Sequence, residues 1–372
     1  MSTNFASRSP IDIPLLAATT LLVTIGLIAI YDASVVAAFR DFGDKLYYFK
    51  NQLIWASLGF MALAAFSFFD YHKLIKSAPL FLALSVFLLI IVLIPQIGTK
   101  VYGARRWINI ATFTFQPSEI AKLALILYQT SIIARFEKIK IGLVDAAIVI
   151  FLPALLVTGL VLVQPDLGTA LIFIGITMTT YFIAKAPISH FFLALPPIVA
   201  AVAISIITHP YRISRLKSLL DPAHDPQGAS YQINQILIAL SSGGLFGVGI
   251  GASRSKFAFI PEVQSDAIFA VFVEELGFVG AIFLISLFLF LIMRAIKIAQ
   301  NAPDNYGRVL AMGIVGLISI QSLFNLASIV ALVPLTGIPL PFISYGGSSL
   351  FVTMAGIGIL LNIHKQRLER TR

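Results

Sequence analysis

The chain has 372 residues, 58% of them hydrophobic and only 12% charged, with a net charge of +9 and no cysteine. Soluble domains average about 45–50% apolar and about 25% charged. A mean hydropathy of +0.94, with apolar runs of about 20 residues recurring along the chain, therefore excludes a soluble core and describes an all-α polytopic membrane protein. Lack of cysteine excludes disulfides and thiolate metal sites. The scattered basic residues suit loops held at anionic headgroups and argue against nucleic-acid binding.

In chain order the apolar pattern predicts ten spans, over 13–34, 51–69, 79–97, 117–135, 143–163, 166–185, 188–208, 266–293, 308–333 and 345–364. The first run is long enough to span and lacks the small-residue cleavage site of a signal peptide. Pro153 and the pair Pro196 and Pro197 are expected to kink the fifth and seventh spans. With both termini cytoplasmic, fourteen lysines and arginines fall in inside segments, from Arg8 to the Lys365–Arg372 tail. Six fall in the short outside loops: Arg40, Lys45, Lys50, Lys100, Arg105 and Arg106. That bias sets the orientation. No internal repeat divides the chain, so residues 1–372 read as one transmembrane domain. Its one long extracytoplasmic loop is 209–265. Within the loop, YQINQILIALSSGGLFGVGIG (231–251) is amphipathic and then glycine-rich, which predicts a re-entrant or interfacial helix.

Five stretches carry polar chemistry. GARRWIN (103–109) sets Arg105 and Arg106 beside Trp107 at the outer interface, suited to an anionic headgroup or a diphosphate, or to an aromatic-belt anchor. In QPSEIAK (116–122), Glu119 and Lys122 stand i, i+3 on one helix face and can pair. In QPDLGTAL (164–171), Asp166 is placed to cap a helix. In QSDAIFAVFVEELG (264–277), Asp266 begins an apolar run at the outer face; it is either a helix cap or a group facing an outward-opening cavity. Glu274 lies about 12 Å deeper and about 80° round the helix, and Glu275 is on the opposite side, so the three acids form no single cluster. The two glutamates need partners within the bundle. In PLPFISYGGSSL (339–350), Tyr345, Gly346, Gly347, Ser348 and Ser349 lead into the last span, as an anion-binding turn or a close-packed cap. The glycines of GVGIG (247–251) have the wrong spacing for a dinucleotide site, and the five histidines show no metal spacing.

The stretches GARRWINI, FQPSEIAKLAL, QPDLGTAL, YQINQILIALSSGGLFGVGIG, FIPEVQSDAIFAVFVEELGFVGA and TGIPLPFISYGGSSL resemble, in order, the SEDS family of peptidoglycan polymerases (FtsW, RodA and SpoVE). GGLFGVGIGASRSKFAFIPE and KIAQNAPDNYGRVLAMGI are most similar to the division member, FtsW. One departure stands out: the family's PE-x-H-T-D-F-I-F-A reads PEVQSDAIFA here, with Gln264, Ser265 and Ala267 as replacements and Asp266 kept. The resemblance implies polymerisation of lipid II into β-1,4 glycan strands, with inversion and release of undecaprenyl diphosphate, on the outer face of the bacterial cytoplasmic membrane at the division septum. A lipid II flippase and an elongation-type, RodA-like polymerase are the alternatives. On this reading Asp266 is the catalytic base. Arg105, Arg106, Trp107, Lys256, Glu262 and the Tyr345–Ser349 turn face substrate. Glu119, Lys122, Asp166, Glu274 and Glu275 position and pair. The implied partners are lipid II, the lipid-linked nascent glycan, a class B penicillin-binding protein and other divisome proteins. Mg²⁺ or Mn²⁺ is an expectation without a visible carboxylate cage.

Overall fold

The computed structural model describes residues 11–101, 103–110, 113–135, 143–184, 186–221, 225, 228, 230–256 and 260–370. Helices dominate. They are α1 (Ile13–Phe42), α2 (Tyr47–Phe68), α3 (Tyr71–Lys76), α4 (Ala78–Ile91), α5 (Pro117–Ile133), α6 (Leu143–Ala146), α7 (Leu152–Val163), α8 (Leu167–Ile183), α9 (Ile188–Ile207), α10 (Pro210–Leu220), α11 (Tyr231–Ser242), α12 (Ile268–Gln300), α13 (Asn305–Ile329) and α14 (Gly347–Arg370). A π-helical turn over Ala147–Phe151 joins α6 to α7 just before Pro153. α9 runs through Pro196 and Pro197 as one helix. Among the described residues, seven helical segments are long and apolar enough to cross a membrane, and α4 and α8 are shorter apolar helices.

The all-α expectation needs one correction. Gly98–Val101 (β1), Ala104–Ile110 (β2) and Phe113–Phe115 (β3) form an antiparallel sheet in the order β1-β2-β3, with Thr99 opposite Trp107 and Asn109 opposite Thr114. The β-branched and aromatic residues Trp107, Ile108, Ile110, Phe113, Thr114 and Phe115 favour strands, and the antiparallel ladder satisfies the backbone of a segment that stands between helices.

α13 and α14 occupy the middle of the bundle, with 67% and 83% of their most apolar windows buried, whereas the same measure for α9 is 0%. α9 thus presents much of its apolar surface outward, as a lipid-facing helix does, while Phe191 packs on Tyr181 of α8.

α12 is 33 residues long, about 50 Å at 1.5 Å per residue. It bends at Gly277 (φ 68°, ψ −166°). The bend frees backbone groups that a straight helix would pair, and the 243–251 loop pairs them. Val248 N donates to Glu274 O (3.0 Å) and Gly249 N to Glu275 O (3.1 Å), while Phe278 N and Val279 N donate to Gly244 O (3.0 Å) and Leu245 O (3.1 Å). A Cβ on Gly277 would lie 2.3 Å from Gly247 N. The loop turns Leu245, Phe246, Val248 and Ile250 outward. At the α13 N-terminus, the ring nitrogens of His72 lie 2.9 Å from Asp70 and 2.8 Å from Asp304.

Candidate active site

The expected start of the eighth span shifts by two residues. α12 begins at Ile268, so Asp266 sits in the turn before it. Asn325 on α13 holds that turn: its Nδ2 donates to Asp266 O (2.9 Å) and to Ile338 O (2.8 Å). The 335–338 segment passes close by, and a Cβ on Gly337 would lie 3.8 Å from Asp266 Oδ2. Asp266 is 8% exposed, and its Oδ1 has no hydrogen-bond partner among the described residues. The aspartate is therefore largely covered. Burial pushes its carboxyl up to about 6, against the pull of the Arg215 guanidinium. A carboxyl in that range, with one oxygen uncommitted, can accept a proton near neutral pH.

Arg215 comes from α10, whose sequence PYRISRLKSLL puts Arg212 and Arg215 one turn apart. Arg215 Nη1 donates to Leu335 O, two residues from Gly337, and its guanidinium lies 4.7 Å from the centre of the Tyr211 ring. Arg212 is buried, and burial, reinforced by the charge of Arg106, lowers its pKa while Asp166 opposes the shift. Asp166 caps α8 as expected, its two oxygens accepting from Thr169 N and Oγ1, each at 3.0 Å. Arg106 Nε donates to Gln164 O (3.1 Å), its Nη2 donates to Pro165 O, and its Nη1 lies 3.7 Å from Asp166. At α8, Gly168 packs on Thr336 and Ile338. The 335–338 segment thus runs between the α8 N-terminus and Asp266. Arg105 is half-buried with Nε unpartnered, and Trp107 lies beneath the Arg106 guanidinium at 6.0 Å.

Lys256 is not a free cation. Its Nζ lies 2.8 Å from Asp32 on α1 and 3.1 Å from Glu275, and the residue is 7% exposed. It binds acids already in the protein, which corrects its place among the substrate-facing residues. Glu275 also accepts from Ser253 N (3.2 Å), and Glu274 from Ser253 Oγ (2.5 Å) and Arg254 N (3.1 Å). The partners of the two glutamates thus include the loop after 251 as well as α1. Lys122 instead binds its helix neighbour Glu119 (2.8 Å) and Gln321 Oε1 (3.0 Å), and Gln321 Nε2 donates to Pro339 O (3.0 Å) and Ser349 Oγ (3.1 Å).

The turn before α14 is a packing device. A Cβ on Gly347 would meet the Trp55 ring at 2.1 Å. Gly346 N donates to Gln52 Oε1 (3.3 Å) and Ser348 Oγ accepts from Gln116 N (3.1 Å). Tyr345 N donates to Gln264 O (2.9 Å). Burial pushes the Tyr345 phenol up to about 12, so it stays neutral. Glu262 adds negative charge beside both Asp266 and Tyr345, and Gln264 Nε2 lies 3.4 Å from its Oε2. Among the described residues, no three acids or histidines stand together as a cage for a metal ion.

The FtsW/RodA/SpoVE family profile, described as cell cycle protein, matches residues 13–369. Stage V sporulation protein E of Bacillus subtilis is 41% identical over 359 residues, spanning 95% of this chain and 97% of its own. A probable peptidoglycan glycosyltransferase FtsW of Trichlorobacter lovleyi is 39% identical over 354 residues, spanning 95% of this chain and 92% of its own. Among solved structures, a chain of a peptidoglycan synthase complex that coordinates polymerization and crosslinking superposes with a TM-score of 0.77 at 28% identity over 96% of this chain and 98% of that one. The rod shape determining protein RodA of Thermus thermophilus gives 0.70 at 28% identity over 98% and 99%. Sporulation, division and rod-shape members all match at near full length, so the likeness carries the family and not the branch.

Proposed function

This chain belongs to the FtsW/RodA/SpoVE family of cell cycle proteins, and on that premise we propose that it is a membrane-embedded glycosyltransferase that polymerises lipid II, with Asp266 as the general base. The observation that carries the catalytic assignment is the Asp266 carboxyl: covered, raised to about 6, and with Oδ1 uncommitted. Asp266 takes the proton from the 4-hydroxyl of the incoming GlcNAc. The resulting oxygen attacks C1 of the lipid-linked growing chain from the face opposite the leaving group. The bond from C1 to the diphosphate oxygen breaks, the electron pair leaves with undecaprenyl diphosphate, and the new bond is β-1,4 with inversion. A departing diphosphate needs positive charge held in place, and Arg105 and Arg106 lie on the sheet beside the capped end of α8.

Ten crossings with both termini cytoplasmic fit the basic-residue bias. In that arrangement Asp266 faces outward, and the 243–251 loop dips into the membrane to the depth of Gly277. The apolar groove of about 470 Å³ between α8 and α9, lined by Ile174, Met178, Phe182, Phe191 and Leu195 among others, is suited to part of the polyprenyl tail. FtsW-named relatives and the FtsW-like loop favour septal wall synthesis, with a class B penicillin-binding protein as partner, as a synthase complex among the structural neighbours suggests.

The test is to purify the chain with its cognate transpeptidase, supply lipid II in detergent, and look for glycan strands. Strands formed with no membrane to cross are the expected result; a preparation that moves lipid II across vesicles but makes no polymer would identify a flippase instead.

A further inference from the structure

The α10–α8 junction holds two guanidiniums against one carboxylate. Arg212 is 8% exposed; its Nη1 donates to Ser205 O (2.8 Å) and to Ser205 Oγ and lies 3.3 Å from His209 Nδ1, and its Nη2 is buried with no partner among the described residues. Its charged neighbours include Arg106, which repels it, and Asp166. Asp166 is already committed to capping Thr169 and lies 3.7 Å from Arg106. Arg215, on the same helix, donates to Leu335 O, and its charge acts on Asp266. Arg106 and Arg212 therefore share one carboxylate, Asp166, beside the positive end of α8. Burying a charge without a partner costs several kcal/mol, and the fork of an arginine matches two phosphate oxygens.

We infer that Arg212 and Arg106 form a diphosphate-binding site at the α10–α8 junction, separated from Asp266 by the 335–338 segment. The site rests on the polymerase reading for its natural ligand, the prenyl diphosphate of the donor. Its geometry is apt for that role. The acceptor's proton and the leaving group must be handled on opposite sides of C1, and the 335–338 segment has Asp266 on one side and the capped α8 end, with its arginines, on the other. Binding the anion supplies the charge that Arg212 lacks. It also fastens α10 down, although the α9 helix preceding it buries no side chain in the bundle.

The experiment measures equilibrium binding to the purified full chain in detergent, with farnesyl diphosphate, farnesol, inorganic diphosphate and phosphatidylglycerol as separate probes. The expected order is farnesyl diphosphate tightest, inorganic diphosphate competing with it, and farnesol weak. Arg212→Gln should weaken farnesyl diphosphate about 10- to 100-fold, the range for losing hydrogen bonds to a charged group, with Arg212→Lys between it and wild type. Should Arg212→Gln fail to fold, Arg106→Gln must show the loss. Asp266→Asn should bind farnesyl diphosphate as wild type does. Wild-type affinity in the folded arginine variants overturns the site. Phosphatidylglycerol displacing farnesyl diphosphate at equal concentration also overturns it, since the pocket would then be a headgroup anchor. If Arg212→Gln loses binding while Asp266→Asn still polymerises, the site stands and the base assignment falls.

Discussion

Replacing Lys122 with methionine separates an architectural role from a chemical one. Lys122 is 1% exposed and Glu119 3%. The ammonium lies 2.9 Å from Glu119 Oε1, 2.8 Å from Oε2 and 3.0 Å from Gln321 Oε1. Lys122→Met keeps the volume and strands a carboxylate in the bundle. Removing one partner of a buried pair costs about 3–5 kcal/mol, and the orphaned Gln321 oxygen adds about 1 kcal/mol. Adding Glu119→Gln removes the stranded charge, and a buried pair replaced by neutral groups is often close to neutral. The double variant should therefore recover at least about 2 kcal/mol relative to Lys122→Met, a coupling readily resolved in a mutant cycle. Equilibrium unfolding in mixed micelles at pH 7 measures it, with lipid II polymerisation assayed in parallel. If Lys122→Met unfolds like wild type but makes no glycan, Lys122 takes part in the reaction and the structural argument is refuted.

Lys256→Met should destabilise the fold by setting Asp32 and Glu275 against each other, with recovery when Glu275→Gln is added; unaltered stability with weakened substrate binding would return Lys256 to the substrate. Because the base must be ionised and its pKa is raised to about 6, polymerisation should be full above about pH 7 and half-maximal near pH 6. It should fall about tenfold per unit below pH 5, whereas a flat profile from pH 5 to 8 contradicts that assignment. Gly277→Ala combines a left-handed φ with a Cβ 2.3 Å from Gly247 N. It should cost about 2 kcal/mol or more and release the 243–251 loop to protease; unchanged proteolysis would show that the bend is not held by that contact.

Much of the bundle is legible in the sequence because lipid-crossing helices must be long and apolar, and that signal is periodic and local. Asp166 and the Glu119–Lys122 pair are legible for the same reason: a cap and an i, i+3 spacing involve neighbours. What escapes is long-range. Lys256 looks available until the fold brings in Asp32, 224 residues away. Asn325 and Gln321 are inconspicuous amides in an apolar helix, and only the fold shows them holding the 338–349 segment. The kink at Gly277 is made by a loop some thirty residues upstream, while the prolines that attract notice leave α9 a single helix. Arg212 and Arg215 carried a readable signal, two arginines a turn apart in YRISRLK. They lie in the long loop, whose charges say little about orientation. The small sheet rests on a few β-branched and aromatic residues, a short signal beside the long apolar runs that flank it.

The central claim is that Asp266 removes the acceptor's proton. The most direct measurement is the single-turnover rate of glycan bond formation by Asp266→Asn, in the purified complex with lipid II saturating. The amide keeps the shape of the carboxyl and cannot take a proton at neutral pH. The account predicts a rate at least about 100-fold below wild type, with farnesyl diphosphate still bound. A variant that joins sugars at the wild-type rate would contradict it.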